Sequence, residues 1–116
     1  METIRRLRKN YDFQDVFNNG ESTANRQFVV YVLKNPEREY SRLGVSVSKK
    51  IGNAVTRNRI KRYIKEAFKH LEDRLLIGCD FVIIARKPTA DMNYHDSFKS
   101  IQHVLKRAGV LLRHRG

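Results

Sequence analysis

The chain has 116 residues, the length of one compact domain, and 41% of them are hydrophobic, which excludes a largely disordered protein. Its 24 lysines and arginines outnumber its 12 acids, and the resulting formal net charge of +12 predicts a polyanionic partner, either a nucleic acid or an anionic membrane. No apolar run approaches the roughly 20 residues that span a bilayer, and no signal-peptide core is present. We therefore expect a single domain over residues 1–116 in the cytoplasm.

The first predicted element is a short helix after the basic N-terminal segment. Asn10 is a candidate N-cap, and Phe13, Val16 and Phe17 recur at helical spacing. Gly20 is a candidate stop signal, so the helix is expected to end there.

Two strands are predicted next. The segment "QFVVYVLKNPE" is rich in β-branched and aromatic residues, and "RLGVSVSKK" alternates between apolar and small residues. The alternation places Leu43, Val45 and Val47 toward the core and Gly44 on the opposite side. Residues 22–25 are a candidate for a third, short edge strand.

A long amphipathic helix is predicted to begin near Asn53 or Thr56, either of which can cap it. Its apolar stripe runs at helical spacing from Ile60 to Leu75. The nearly continuous apolar segment "CDFVIIARK" then predicts a strand buried on both faces.

A last helix is predicted from Asn93 through Ala108, with Leu112 as its farthest extent. The order of elements is helix, two or three strands, helix, strand and helix. This order predicts an α+β sandwich with helices laid on a mixed sheet.

Positive charge is concentrated in one segment. From Tyr40 to Lys65 there are eight lysines and arginines and no acid. Arg57, Arg59 and Arg62 occupy the start of the predicted helix, where guanidinium forks and unpaired backbone N–H groups both suit phosphate oxygens. A solvated helix face is the alternative, but the absence of compensating acids favours an anion-binding surface.

Aromatic side chains form a second candidate site. Phe13, Phe17 and Tyr31 can stack unpaired bases. Asn58 belongs instead to the basic helix, where it can bond a sugar hydroxyl or a base edge. The alternative is that the two phenylalanines belong to the core, because they lie one turn apart on a helix that must bury something. Helical spacing alone favours the core.

The sequence contains no recognisable catalytic constellation. Paired carboxylates, a nucleophile with a base, and a phosphate loop are missing, and the four histidines lack metal-ligand spacing. The single Cys79 excludes an internal disulfide and is interpreted as a small apolar residue. These observations favour a binding protein over a self-sufficient enzyme.

The segment "SVSKKIGNAVTRNRIKRYIKEAF" resembles the signature of the bacterial ribonuclease P protein component, with its Arg-Asn-Arg core at residues 57–59. The segments "LRKNYDFQDVF", "ANRQFVVYVL", "FVIIARKP" and "SIQHVLKRAG" extend the resemblance over nearly the whole chain. It implies an α+β two-layer sandwich of order α-β-β-β-α-β-α, with a four-stranded mixed sheet. It also implies a left-handed βαβ crossover, which sequence patterns would not suggest because right-handed crossovers dominate.

The resemblance also implies a function. The protein would be the RNA-binding subunit of ribonuclease P and would help a catalytic RNA to remove the 5′ leader from precursor tRNA. Catalysis and the magnesium ions would belong to the RNA, so no catalytic or metal-binding residue is assigned and the protein alone is expected to be inactive. The implied partners are the catalytic RNA and precursor tRNA, without a membrane or an obligate protein partner.

The resemblance assigns site residues by position. The 5′ leader would contact Phe13, Phe17 and Tyr31, which reverses the preference for a core role. The residues implied to face the catalytic RNA are Lys49, Lys50, Asn53, Arg57, Asn58, Arg59, Arg62 and Lys65.

Two other functions remain open from the residues alone. A general or ribosomal-type RNA-binding or chaperone protein would use the same basic helix for phosphate contacts. A DNA-binding module is less well supported, because the basic helix lacks a helix-turn-helix partner.

Overall fold

Residues 4–113, which the computed structural model describes, form five strands and three α-helices. Two 3₁₀ turns, Glu72–Arg74 and Lys87–Asp91, follow the second helix and the last strand. The elements in chain order are β1 (Ile4–Arg6), α1 (Asn10–Asn19), β2 (Glu21–Ala24), β3 (Phe28–Lys34), β4 (Ser41–Ser46), α2 (Ala54–Leu71), β5 (Cys79–Ala85) and α3 (Tyr94–Arg107).

The strands form one mixed sheet in the order β1-β4-β5-β3-β2. The neighbouring strands β4 and β5 are parallel and are joined through α2, while β3 is antiparallel to both β5 and β2. The α+β class and the βαβ unit are therefore confirmed. The left-handed sense of the crossover stays a prediction.

The predicted count of four strands is wrong, because β1 adds a fifth. It pairs in parallel with β4, and Ile4 lies opposite Ser41. Its short basic sequence resembles a solvated tail, and Ile4 and Leu7 are its only apolar signals. A parallel partner more than 30 residues away leaves no local pattern, which is why the strand was not predicted.

The main core lies between one face of the sheet and the helices α2 and α3. Phe28, Val30 and Val32 of β3 alternate into it, as the two-residue period of a strand requires. Leu43 and Val47 also join this core, as predicted. β5 is central and almost fully buried, which confirms the strand buried on both faces.

A smaller apolar cluster lies under α1 on the other face of the sheet. Its buried members are Leu7, Val16 and Val82. Val16 is the buried residue of α1, whose remaining positions are half-buried or exposed. Among residues 4–113, α1 is the one helix that covers the second face of the sheet.

The helix starts agree with the sequence in two of three cases. Asn53 caps α2, and its Oδ1 accepts a hydrogen bond from the backbone N–H of Thr56 at 3.0 Å. Asn93 caps α3 in the same way, bonding the N–H of Asp96 at 2.8 Å. Asn10 is instead the first residue of α1, whose N-cap Lys9 makes no side-chain capping bond.

α2 ends earlier than its apolar stripe predicted, whereas α3 ends next to its C-cap Ala108, as predicted, and does not extend to Leu112. α2 ends at Leu71, and Leu75 joins the core only after a 3₁₀ turn. α3 ends at Arg107, and Gly109 follows with a φ of +76°, a left-handed conformation that glycine adopts readily. Leu112 therefore lies outside the helix, and half of its surface is exposed.

Candidate nucleic-acid interface

The eight predicted RNA-facing residues lie along the turn before α2 and its first three turns. We call them the basic face; they are Lys49, Lys50, Asn53, Arg57, Asn58, Arg59, Arg62 and Lys65. Lys65 lies about 12 Å along the helix axis from Arg57, because each residue advances the helix by about 1.5 Å. The structure therefore places all eight residues on α2 and on the turn that precedes it.

The start of α2 is a positive end without acidic neighbours in its first turn. The approach is held by Ser48, whose Oγ accepts the N–H of Lys50 and whose carbonyl accepts the N–H of Ile51. A side chain at Gly52 would place its Cβ 3.0 Å from Thr56, so the chain passes close to the first helical turn here. The helix dipole and the nearby cations reinforce each other at this point.

Two arginines of the basic face are fixed by backbone carbonyls. The Nε of Arg57 donates to the carbonyl of Gly52 at 3.2 Å. The Nη2 of Arg59 donates to the carbonyl of Ala90, in the 3₁₀ turn after β5, at 2.6 Å. Both side chains are half-buried, and each guanidinium keeps further N–H donors. Fixing them before binding lowers the entropy lost when they contact a phosphate.

Other members of the basic face point to solvent. Lys49, Lys50, Asn58 and Arg62 are exposed. The guanidinium of Arg62 lies 5.8 Å from the ring centre of Tyr63. Asn53 uses its side-chain carbonyl as the helix cap, so its NH₂ group is the part of the amide suited to a phosphate or sugar oxygen.

The predicted aromatic site lies on the other face of the sheet. Phe13, Phe17 and Tyr31, which we call the aromatic groove, pack at the edge of the small cluster under α1. The ring of Phe13 lies directly on Gly44, where a Cβ would be only 2.6 Å from two ring atoms. Phe17 and Tyr31 meet edge to face, with ring centres 5.0 Å apart.

The core interpretation of these aromatics is partly correct, and their base-stacking role stays a prediction. All three side chains are half-buried, so they pack on the cluster and still present surface to solvent. The next row of the sheet extends the surface, because Ile84 lies in register with Val29 and Ser46. This row was not predicted from the sequence, although the small-residue side of β4 is a signal for it.

A buried ion-pair network fixes α1 beside the sheet. Asp80 of β5 accepts from Arg42 at 2.7 and 2.9 Å and from Arg38 at 2.6 Å. Arg42 also contacts Asp12 of α1 at 3.3 Å. Burial alone would raise the pKa of Asp80, but the hydrogen bonds from the two arginines hold it below the ordinary value. The network joins α1, which carries Phe13 and Phe17 of the aromatic groove, to the central strand β5.

The described residues do not fit a metal site held by the protein. Among residues 4–113, no three His, Cys, Asp or Glu side chains converge in a group that could hold an ion. None of the helices in that range combines the length and apolarity needed to cross a membrane.

The fold and the site define an α+β domain with a preorganised basic face and a separate aromatic groove. The Ribonuclease P family profile matches residues 1–109. The ribonuclease P protein component of Listeria innocua is 58% identical over 111 residues, covering 96% of this chain and 93% of the relative. That of Geobacillus kaustophilus is 56% identical over 111 residues, covering 96% and 92%.

Solved structures agree. The RNase P protein of Staphylococcus aureus superposes with a TM-score of 0.86 at 50% identity, over 91% of this chain and 96% of that one. The Thermotoga maritima RNase P protein gives 0.80 at 36% identity, over 89% and 96%. The chain belongs to the ribonuclease P protein family.

Proposed function

We propose that this chain is the RNA-binding protein subunit of ribonuclease P and that its basic face docks on the catalytic RNA. Membership of the family makes it part of an endoribonuclease. The observation that carries the proposal is the start of α2, where Arg57 and Arg59 are held by backbone carbonyls and the first helical turn contains no acid. Such fixed guanidinium groups suit the phosphates of a folded RNA better than mobile lysines do.

The aromatic groove is proposed to receive the single-stranded 5′ leader of precursor tRNA. Phe17 and Tyr31 offer ring surface beside an apolar sheet row, which can stack unpaired bases without strong sequence preference. The groove lies on the sheet face opposite the α2 and α3 core, so leader and catalytic RNA would occupy different surfaces.

Catalysis is proposed to belong to the RNA subunit, with magnesium ions held mainly by that RNA and the substrate. The protein's role, in the cytoplasm, is to bind the leader and to add positive charge near clustered phosphates. Less magnesium would then be needed to offset phosphate repulsion, which raises the apparent metal affinity.

Reconstitution at low magnesium tests the proposal. Precursor tRNA cleavage is measured with RNA subunit alone, protein alone and both together. At low magnesium we expect cleavage only when the RNA subunit and the protein are both present. At high magnesium we expect the RNA subunit alone to cleave slowly. Cleavage by protein alone, or no effect of protein on the RNA, would contradict the proposal.

A general RNA-binding protein would give a different result, because phosphate contacts alone carry no sequence information. It would bind unrelated structured RNAs as tightly as the RNA subunit and would not distinguish substrates with and without a leader. Affinities for the RNA subunit, for an unrelated structured RNA, and for substrates with and without a leader are measured with the same preparations.

A further inference from the structure

A second recess lies outside the aromatic groove, between the edge strand β1, strand β4 and helix α2. We call it the edge cleft. It has a volume of about 500 Å³, within the range of pockets that hold small organic groups. Phe13 and Leu7 also line the edge cleft. The cleft therefore shares Phe13 with the aromatic groove, but neither Phe17 nor Tyr31.

The floor of the edge cleft is apolar. Ile4, Val45 and Phe68 line it, and the first two are half-buried. Ile4 and Val45 also pack against the main core, so the floor is anchored to the sheet. A flat apolar group can rest on such a surface.

The rim of the edge cleft is basic. Lys61, Lys65 and Lys69 line it from α2, and a spacing of four residues places them on one stripe of the helix. Arg5 and Arg6 line it from β1, and Glu72 is the one acid among the described lining residues. Partial desolvation, followed by the charges of Arg6 and Lys61, lowers the pKa of Lys65 below its ordinary value. A bound anion would relieve this repulsion.

We propose that the edge cleft holds one unpaired nucleotide of the RNA subunit, with its base on the apolar floor and its phosphate on the lysine stripe. This inference rests on the proposed function. An unpaired nucleotide fits because a base inside a duplex cannot present its face to a protein surface. The RNA subunit is the source because Lys65 belongs both to the basic face and to the lysine stripe, so the stripe continues the basic face along the same helix.

Site-directed crosslinking tests the proposal. Cys79 is buried and is the only native cysteine, so a cysteine introduced on the surface can be labelled selectively with a photoreactive group. Lys69→Cys probes the edge cleft and Arg62→Cys probes the basic face. Lys99→Cys, an exposed position on α3, is the control. Each labelled protein is crosslinked in the reconstituted holoenzyme, with and without precursor tRNA.

We expect position 69 to crosslink to an unpaired nucleotide of the RNA subunit whether or not substrate is present. Crosslinks to paired nucleotides only, or to precursor tRNA only, would overturn the inference. Crosslinks from position 62 but none from position 69 would overturn it and leave the proposed docking intact. Absence of crosslinks from both positions would overturn both proposals.

A charge-matched pair of variants gives an independent readout. Lys61→Gln/Lys69→Gln removes two charges from the edge cleft, and Lys99→Gln/Lys106→Gln removes two from α3. We expect the first to weaken RNA-subunit binding about tenfold more than the second, at equal thermal stability, because it removes a positioned phosphate contact as well as general charge. Equal losses would show that only net charge matters and would overturn the inference.

Discussion

Individual arginines of the basic face differ in how firmly they are held. Arg59 is bonded to Ala90, whereas Arg62 is exposed beside Tyr63. The sequence predicts both as RNA contacts from the same local pattern. It does not distinguish them, because the bond from Arg59 reaches a turn 31 residues away.

Arg59→Ala should weaken assembly with the RNA subunit more than Arg62→Ala does. The first change removes a preorganised guanidinium, and the second removes a mobile one. Arg59→Lys should restore little, because an ammonium cannot bond both the carbonyl and a phosphate in a planar fork. Equilibrium binding measures the affinity of each variant for the RNA subunit. Full recovery of that affinity in Arg59→Lys would contradict the prediction.

Phe17→Ala should weaken leader recognition more than assembly. Stacking of a base on an aromatic ring contributes about 1–3 kcal/mol, so the loss should be measurable. Holoenzyme affinity is compared for precursor tRNA with a leader and for the same tRNA without one. A loss of equal size for both RNAs would show that Phe17 acts through packing alone.

Asp80→Asn should lower the free energy of unfolding by about 3–5 kcal/mol at neutral pH, because two arginines lose a buried partner. Folding lowers the pKa of Asp80, so its contribution is full above about pH 4 and disappears as the pH falls through the lower folded-state pKa. Denaturant unfolding from pH 7 to 2 should therefore show a flatter profile for the variant. Asp91→Asn, at an exposed position, is the control and should keep the wild-type profile.

At the scale of elements, periodicity and capping residues predicted three helices and three of the five strands, with residues 22–25 left as a candidate for a fourth. Asn53 and Asn93 have the predicted roles because a cap acts within three residues. β1 and the position of β5 between β3 and β4 depend on distant pairing, which no local pattern encodes. The end of α2 at Leu71 was missed because apolar residues continue past it into other core contacts.

Gly44→Ala should destabilise the packing of α1 on the sheet. The added Cβ would lie 2.6 Å from the ring of Phe13, so the ring must move, at a cost of about 1–3 kcal/mol. Phe13→Leu removes the obstructing ring atoms, and the double variant should lose less stability than the sum of the two single changes. Denaturant unfolding of all four proteins measures this coupling. Strict additivity would mean that the ring moves away freely.

At the scale of the whole molecule, the basic face and the edge cleft together hold ten of the 24 lysines and arginines. The sequence revealed the basic face because its residues fall within one segment, residues 49–65. It did not reveal the edge cleft, whose basic residues come from β1 and α2, more than 50 positions apart. Basic residues that converge only through folding look in sequence like ordinary solvated charges.

RNA-subunit affinity should fall linearly with salt on a double logarithmic plot, because each neutralised phosphate releases counterions. Arg62→Ala should reduce the steepness of that slope by about one, whereas Lys99→Ala should leave it unchanged. Titrations across several potassium chloride concentrations measure both slopes. An unchanged slope for Arg62→Ala would show that Arg62 does not contact a phosphate.

The strand order also determines when this protein can fold during its synthesis. β5 lies between β3 and β4, so neither of these strands has its main partner until residue 85 has left the ribosome. By then β1, α1 and α2 have all been made, and their apolar faces have no complete sheet to cover. Pairing that is so distant along the chain is slow to form. The nascent chain therefore carries its strongly basic segment beside ribosomal RNA on an incomplete sheet, and completion of the sheet then holds that segment in fixed positions.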